Sequence, residues 1–153
     1  MLLKFHMKSI PSAERYGTAL QDAWNRLNKD KTKSERQKGS TRLLLKALYD
    51  SPGHEATCHE LATKMDFGDL DYSDHVAVAN KVMGAMRTLG TQMCRALEIK
   101  PDVYPKPENN TECSWAAIAS CEGDWPFHVT FRMLDNVAEA LERLGWVSTT
   151  QNE

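Results

Sequence analysis

Apolar residues recur every three or four positions in five segments of this 153-residue chain, and that spacing predicts amphipathic helices. The first four predicted helices span residues 12–28, 41–50, 57–66 and 74–98, and a fifth ends at Leu144. In the longest of them the apolar residues form a single stripe, with polar residues on the other side. Gly90 interrupts this helix at a cost of about 1 kcal/mol relative to alanine. We therefore expect a break or a close helix contact there.

Two apolar runs near the C-terminus, CSWAAIAS and WPFHVTFRM, predict short strands joined by a turn at the sequence EGD. In that hairpin, Cys113 and Cys121 would face the same side of one strand. The next segment predicts a helix whose end is marked by Gly145, a residue suited to left-handed backbone. Trp146 would then fold back onto Leu141.

The stretch HEATCHELATKM, residues 54–65, has the residue types of a zinc-protease helix but not their spacing. Such a helix needs two histidines at positions i and i+4, whereas His54 and His59 are five residues apart. The preceding Pro-Gly pair predicts a turn, and Thr57 followed by Glu60 is a capping box that begins a helix. We therefore predict a short capped helix, with no metal site and no cofactor.

The order of these elements is that of a winged helix: a helix, a short capped helix, a longer helix and then a hairpin. We predict an α+β fold, mostly α, in the form of a winged-helix-like helical bundle with one β-hairpin before a C-terminal helix. Residues 1–39 would form an N-terminal amphipathic helix and a basic linker, and residues 40–150 the winged-helix-like domain. The helix over residues 74–98 is the candidate recognition helix.

Charge is unevenly spread along the chain, although the net charge is only -2. Residues 1–50 hold eleven Lys or Arg against five acids, and the rest of the chain holds eight against sixteen. Much of the basic excess lies in residues 28–42, with six basic and two acidic side chains. Such a run can bind a polyanion, or it can serve only as a solvated tether.

Two further properties of the sequence indicate where in the cell the protein is expected. The longest apolar runs are too short to span a membrane, so we expect no membrane partner. Four cysteines without paired spacing are typical of reduced thiols, which predicts a cytoplasmic protein.

If the chain binds nucleic acid, Lys and Thr would hold phosphates, while Asn and Arg on the recognition helix would read adenine and guanine. The candidate nucleic-acid-binding residues are Lys29, Lys31, Lys33, Arg36, Lys38, Arg42, Asn80, Lys81, Arg87 and Arg95. An alternative is that the acidic half mimics phosphates or meets a basic partner surface. The candidate partner-binding residues are Asp66, Asp69, Asp71 and Asp74.

The segments VANKVMGAMRTLG and WPFHVTFRMLDNVAEALERLGWV together resemble a small module of bacterial proteins linked to HNH-type, restriction-like endonucleases. The resemblance covers about residues 57–147, and Met83 stands where the family usually has Tyr. The matching positions are Asn80, Gly84, Gly90, Trp125, Phe127, Arg132, Ala140, Leu141, Leu144, Gly145 and Trp146. The chain lacks the clustered His and Asn of an HNH metal site. The resemblance therefore implies a recognition or accessory module in bacterial defence or phage counter-defence.

Three functions compete at this point. The leading hypothesis is a non-enzymatic module that contacts DNA or a nucleoprotein complex. The second is a protein–protein adaptor or inhibitor, such as an anti-CRISPR-like or other anti-defence protein, acting through its acidic surface. The third is a metal-dependent enzyme using Cys58, His59, Cys113, Cys121 or His128. We predict the first, with no catalytic residue.

Overall fold

The computed structural model describes residues 2–5, 7–32, 35–65, 70–100, 103–105, 110–124 and 128–148. Within them the helices are α1 (Ala13–Lys29), α2 (Glu35–Asp50), α3 (Cys58–Met65), α4 (His75–Leu97) and α5 (Asp135–Leu144). The strands are β1 (Leu2–Phe5), β2 (Glu55–Thr57), β3 (Val103–Pro105), β4 (Asn110–Glu112), β5 (Ala119–Asp124) and β6 (His128–Met133). The predicted α+β, mostly α fold is confirmed.

The C-terminal hairpin is the centre of a small antiparallel sheet. β5 and β6 pair as an antiparallel hairpin, and β2, which lies between α2 and α3, pairs antiparallel with β6. β1 adds to the outer side of β5 and gives a four-stranded sheet in the order β1-β5-β6-β2. Neither β1 nor β2 is predicted by the sequence pattern, because strands of four and three residues are too short to show an alternating pattern.

The hairpin turn lies further along the chain than predicted. β5 continues through the EGD sequence, and Gly123 pairs with Val129 at φ +139°, a backbone angle that favours glycine. The residues that connect the two strands lie outside the described part. The apolar run before β5 is a 3-10 turn, Ser114–Ala117, so Cys113 and Cys121 do not share one strand as predicted. A continuous apolar run does not distinguish a buried turn from a buried strand.

Side-chain hydrogen bonds cap the starts of three helices. Thr57 N–H donates to Glu60 Oε1 (2.9 Å) and Glu60 N–H donates to Thr57 Oγ1 (3.1 Å), so the capping box at the start of α3 is confirmed. The Ser12 hydroxyl accepts from Arg15 N–H (3.2 Å) at the start of α1. Asp74 Oδ1 accepts from the first N–H groups of α4. These bonds satisfy donors that a helix start leaves without an intrahelical partner.

The predicted basic linker is wrong in its extent, because α2 begins at Glu35 and not at residue 41. Arg36, Lys38 and Arg42 are therefore helical. The residues from Glu35 to Lys38 have high helix propensity, which the sequence analysis set aside in favour of their charge. The boundary predicted between residues 39 and 40 falls inside α2.

A single apolar core joins the N-terminal segment to the rest. Tyr16 of α1, Leu48 of α2, Met86 of α4 and Phe131 of β6 are all fully buried in one continuous cluster. α1 packs against both α4 and α5. α4 packs against α1, α2, α3 and the 3-10 turn, and one face of α4 remains exposed.

The end of α5 has the predicted geometry. Gly145 has φ +72°, its N–H donates to Glu142 O (3.1 Å), and Trp146 N–H donates to Leu141 O (3.1 Å). This pair of bonds is a Schellman motif and confirms the predicted turn. Trp146 is only partly buried, and its ring contacts the ring of Trp24, which lies far away in the sequence.

Candidate nucleic-acid interface

The exposed face of α4 brings together the four candidate residues that lie on this helix. Asn80, Lys81, Arg87 and Arg95 are all exposed, and the apolar stripe on the other side is buried. Asn80 and Arg87 are seven residues apart, and so are Lys81, Thr88 and Arg95. A spacing of seven residues is about two helical turns, so these residues form two adjacent rows along the helix.

The electrostatic character of α4 is uniform. Its 23 residues, from His75 to Leu97, include Lys81, Arg87 and Arg95 and no aspartate or glutamate. Gly84 lies in the middle of the exposed face, and a Cβ added there would meet no atom within 4 Å. The face is therefore basic and unobstructed at its centre, as a surface that approaches a polyanion needs to be.

Several contacts fix α4 in place. Gly90 lies against the 3-10 turn so closely that a Cβ added to it would be 2.3 Å from the carbonyl carbon of Ser114. The Ser114 hydroxyl donates to the backbone oxygen of Arg87 (3.2 Å). At the C-terminal end of α4, the Arg15 guanidinium donates to Leu97 O (2.8 Å). The predicted close contact at Gly90 is confirmed, and the turn rather than another α-helix makes it.

The segment before α4 is tied back to α3. The Tyr72 hydroxyl donates to Ala62 O (3.1 Å), and His59 Nε2 is 3.0 Å from Tyr72 O. The rings of His59 and His75 have centroids 6.2 Å apart. His54, in contrast, stacks on Tyr49 at a centroid distance of 4.4 Å. The two histidines of the HEATCHELATKM stretch therefore face different partners.

Two of the four candidate acidic residues have local structural roles. Asp71 accepts hydrogen bonds from the Ser73 hydroxyl (2.6 Å) and backbone N–H (3.0 Å), and these bonds lower the pKa of Asp71. Asp74 caps α4. Both side chains are exposed. Asp66 and Asp69 lie outside the described residues.

The candidate residues of the basic segment are divided between two helices and the connection that joins them. Lys29 is exposed in the last turn of α1, and Lys31 is exposed in the following turn. Lys33 lies outside the described residues. The backbones of Arg36 and Lys38 belong to α2, and their side chains are outside the description.

Arg42 has aromatic partners that the sequence analysis missed. Its guanidinium carbon lies 4.3 Å from the ring centroid of Trp146 and 5.1 Å from that of Trp24. The two rings are 6.2 Å apart in an edge-to-face arrangement. Because Trp24 and Trp146 are 122 residues apart, no local pattern could have indicated this cluster. Each such cation–π contact contributes about 0.5–1 kcal/mol at an exposed site.

The four cysteines are buried free thiols. Burial raises the pKa of Cys58 from 9.0 to about 12, and burial together with nearby Cys113 and Cys58 raises the pKa of Cys121 to about 12. Among the described residues, no three His, Cys, Asp or Glu side chains come together as metal ligands would.

We expect the free energy of unfolding to fall as the pH rises above 9. In that range the unfolded chain releases its thiol protons, whereas the folded chain retains those of Cys58 and Cys121 until about pH 12, so deprotonation favours unfolding. Urea unfolding under reducing conditions at about pH 8 and about pH 10.5 measures the difference. The double variant Cys58→Ala, Cys121→Ala should show a smaller decrease. Equal stability of the parent protein at the two pH values would contradict this prediction.

Comparison with protein-family models, with curated proteins and with solved structures finds no match. The resemblance drawn from the sequence motifs stays a prediction, and two of its positions, Trp125 and Phe127, lie outside the described residues. In the described part of the chain, no helix has both the length and the apolar character needed to cross a bilayer.

Proposed function

We propose that this protein is a non-enzymatic module that binds DNA, alone or within a nucleoprotein complex, through the exposed face of α4. The observation that carries the proposal is a helix without acidic residues whose exposed face holds Asn80, Lys81, Arg87 and Arg95. The resemblance to a defence-associated module and the buried thiols support a role in the cytoplasm as an accessory in bacterial defence or phage counter-defence.

The dimensions of α4 suit the major groove. At 1.5 Å per residue its 23 residues form a helix about 35 Å long. An α-helix fits the width of that groove. Gly84, without a side chain at the centre of the exposed face, lets the helix backbone come closer to the base edges than a larger residue would.

Each of the four residues has a chemical role in this proposal. Asn80 can pair with adenine, and Arg87 or Arg95 can donate two hydrogen bonds to guanine. Lys81 holds a phosphate oxygen as a point charge. The bonds that fix the backbone of α4 mean that the helix itself need not be ordered on binding.

The test is a titration with duplex DNA at two salt concentrations. The variant with Lys81, Arg87 and Arg95 all changed to Gln should bind more weakly. For this variant, the slope of log K against log salt concentration should be less steep by about 0.9 for each phosphate that the variant no longer neutralises. A control variant with Arg26, Lys100 and Arg143 changed to Gln removes the same charge from other exposed positions and should retain most of the affinity. Asn80→Ala should change the preference among sequences more than the overall affinity.

Equally weakened binding in the two triple variants would show that net charge, and not the α4 face, determines binding. An absence of DNA binding by the parent protein would refute the proposal. The protein–protein alternative, through the acidic half that includes Asp71 and Asp74, would then be favoured.

A further inference from the structure

A surface groove of about 270 Å³ lies between α2, the end of α5 and the residues that follow it. It includes Leu43 and Lys46 of α2, and Leu141, Trp146 and Val147 from the C-terminal side. Arg42, stacked on the Trp146 ring, lies at one side. The lining includes no residue of α4, so the groove is separate from the proposed DNA-binding face.

The groove is apolar and partly open. Leu43 is 40% exposed, and Trp146 and Val147 are only partly buried at its side. Large exposed apolar residues are few in the described part of the chain: Ile10, Leu43 and Val76. A concave apolar surface of this kind is typical of a binding site, because covering it removes apolar area from water.

The charged groups of the groove are both cationic, and its lining contains no acidic residue from the described ranges. Arg42 is held by the rings of Trp24 and Trp146, so its guanidinium is positioned before a ligand arrives. Lys46 is exposed on the same side of α2, one turn later, where it pairs with Asp50. An approaching carboxylate would gain from Arg42, whereas an approaching Lys or Arg would be repelled by it. Lys46 is already paired with Asp50 and would contribute only by exchanging that partner for the ligand.

We propose that this groove binds an acidic peptide segment of a partner protein, with one large apolar side chain of the segment inserted between Leu43 and Trp146. The volume is suited to a single aliphatic or aromatic side chain, which would act as the anchor of the interface. A carboxylate beside the anchor would pair with Arg42, and a second one could replace Asp50 as the partner of Lys46. Positive charge beside an apolar groove favours this chemistry over that of a neutral or basic segment.

The experiment selects random peptides of about twelve residues, a length that covers the common peptide-recognition modes, against the whole protein. Retained peptides should be enriched in Asp and Glu and should share one large apolar residue. Their affinity for the variant Leu43→Glu should be weaker by about tenfold or more. The control Val76→Glu places the same charge on another exposed apolar position, in α4, and should bind the peptides as the parent protein does. Circular dichroism checks that both variants are folded.

Several results would overturn the proposal. The first is selection of peptides that are not enriched in Asp and Glu. The second is equal affinity of the selected peptides for the parent protein and for Leu43→Glu. The third is failure of the protein to retain any peptide. Displacement of the peptides by single-stranded DNA would instead assign the groove to nucleic acid. A parent protein that dimerises, together with a Leu43→Glu variant that does not, would assign it to a second copy of this chain.

Discussion

Replacing Gly90 with alanine is expected to destabilise the fold by about 3 kcal/mol, at the upper end of the usual cost of overpacking a core. The added Cβ would lie 2.3 Å from both the carbonyl carbon and the oxygen of Ser114, and 2.5 Å from the backbone nitrogen of Trp115. These are backbone atoms of a buried turn and cannot rotate away. α4 and the turn would have to separate, which would break the hydrogen bond from Ser114 to Arg87 O.

Gly84→Ala is the matched control, since it makes the same change on the same helix. A Cβ at Gly84 meets nothing within 4 Å, so the variant should be more stable by up to about 1 kcal/mol, the difference in helix propensity. Urea unfolding of both variants measures the two effects. If both variants were stabilised, α4 would not pack against the turn as described.

The second large effect is expected at Phe131, where replacement by alanine should cost about 3–5 kcal/mol. The Phe131 side chain is 0% exposed on the central strand pair of the sheet, with Cys121 opposite on β5 and Ala56 opposite on β2. Its ring meets Trp115 edge-to-face at a centroid distance of 5.9 Å. The small residues on both sides cannot expand into the cavity, so the full cost of the cavity should remain.

Thr130→Ala is the control, because successive residues of a strand point to opposite faces and Thr130 is only partly buried. We expect it to cost less than about 1 kcal/mol. Thermal or urea unfolding separates the two variants. A similar unfolding midpoint for both variants would show that Phe131 does not lie on the buried face of the sheet.

The sequence predicted those parts of the fold that depend on local pattern. The stripe of α4, the capping box of Thr57 and the end of α5 at Gly145 each depend on residues within two helical turns of one another, so spacing alone reveals them. β2 gave no such signal, because three residues take their strand character from pairing with β6. The same holds for β1, which pairs with β5.

The same distinction between local pattern and contacts of distant residues applies to the candidate sites. The exposure of Asn80, Lys81, Arg87 and Arg95 was predictable because a buried stripe fixes which side of a helix remains in water. The stacking of Arg42 on Trp24 and Trp146 was not, since three helices must pack before these side chains meet. At the start of α2 the prediction from charge is wrong, because helix propensity decides the structure of Glu35 and the residues that follow it.

The position of Thr57, at the junction of β2 and α3, restricts motion of the strand relative to the helix. Thr57 is the last residue of β2, paired with Thr130, and its capping bonds with Glu60 begin α3. No residue is left between strand and helix to act as a hinge, a role that needs backbone angles free to change. A force that tilts the hairpin is therefore transmitted to α3 and, through the bond from Tyr72 to Ala62 O, to the segment that leads into α4. The hairpin, α3 and the segment before α4 should therefore move together when a partner binds to the hairpin.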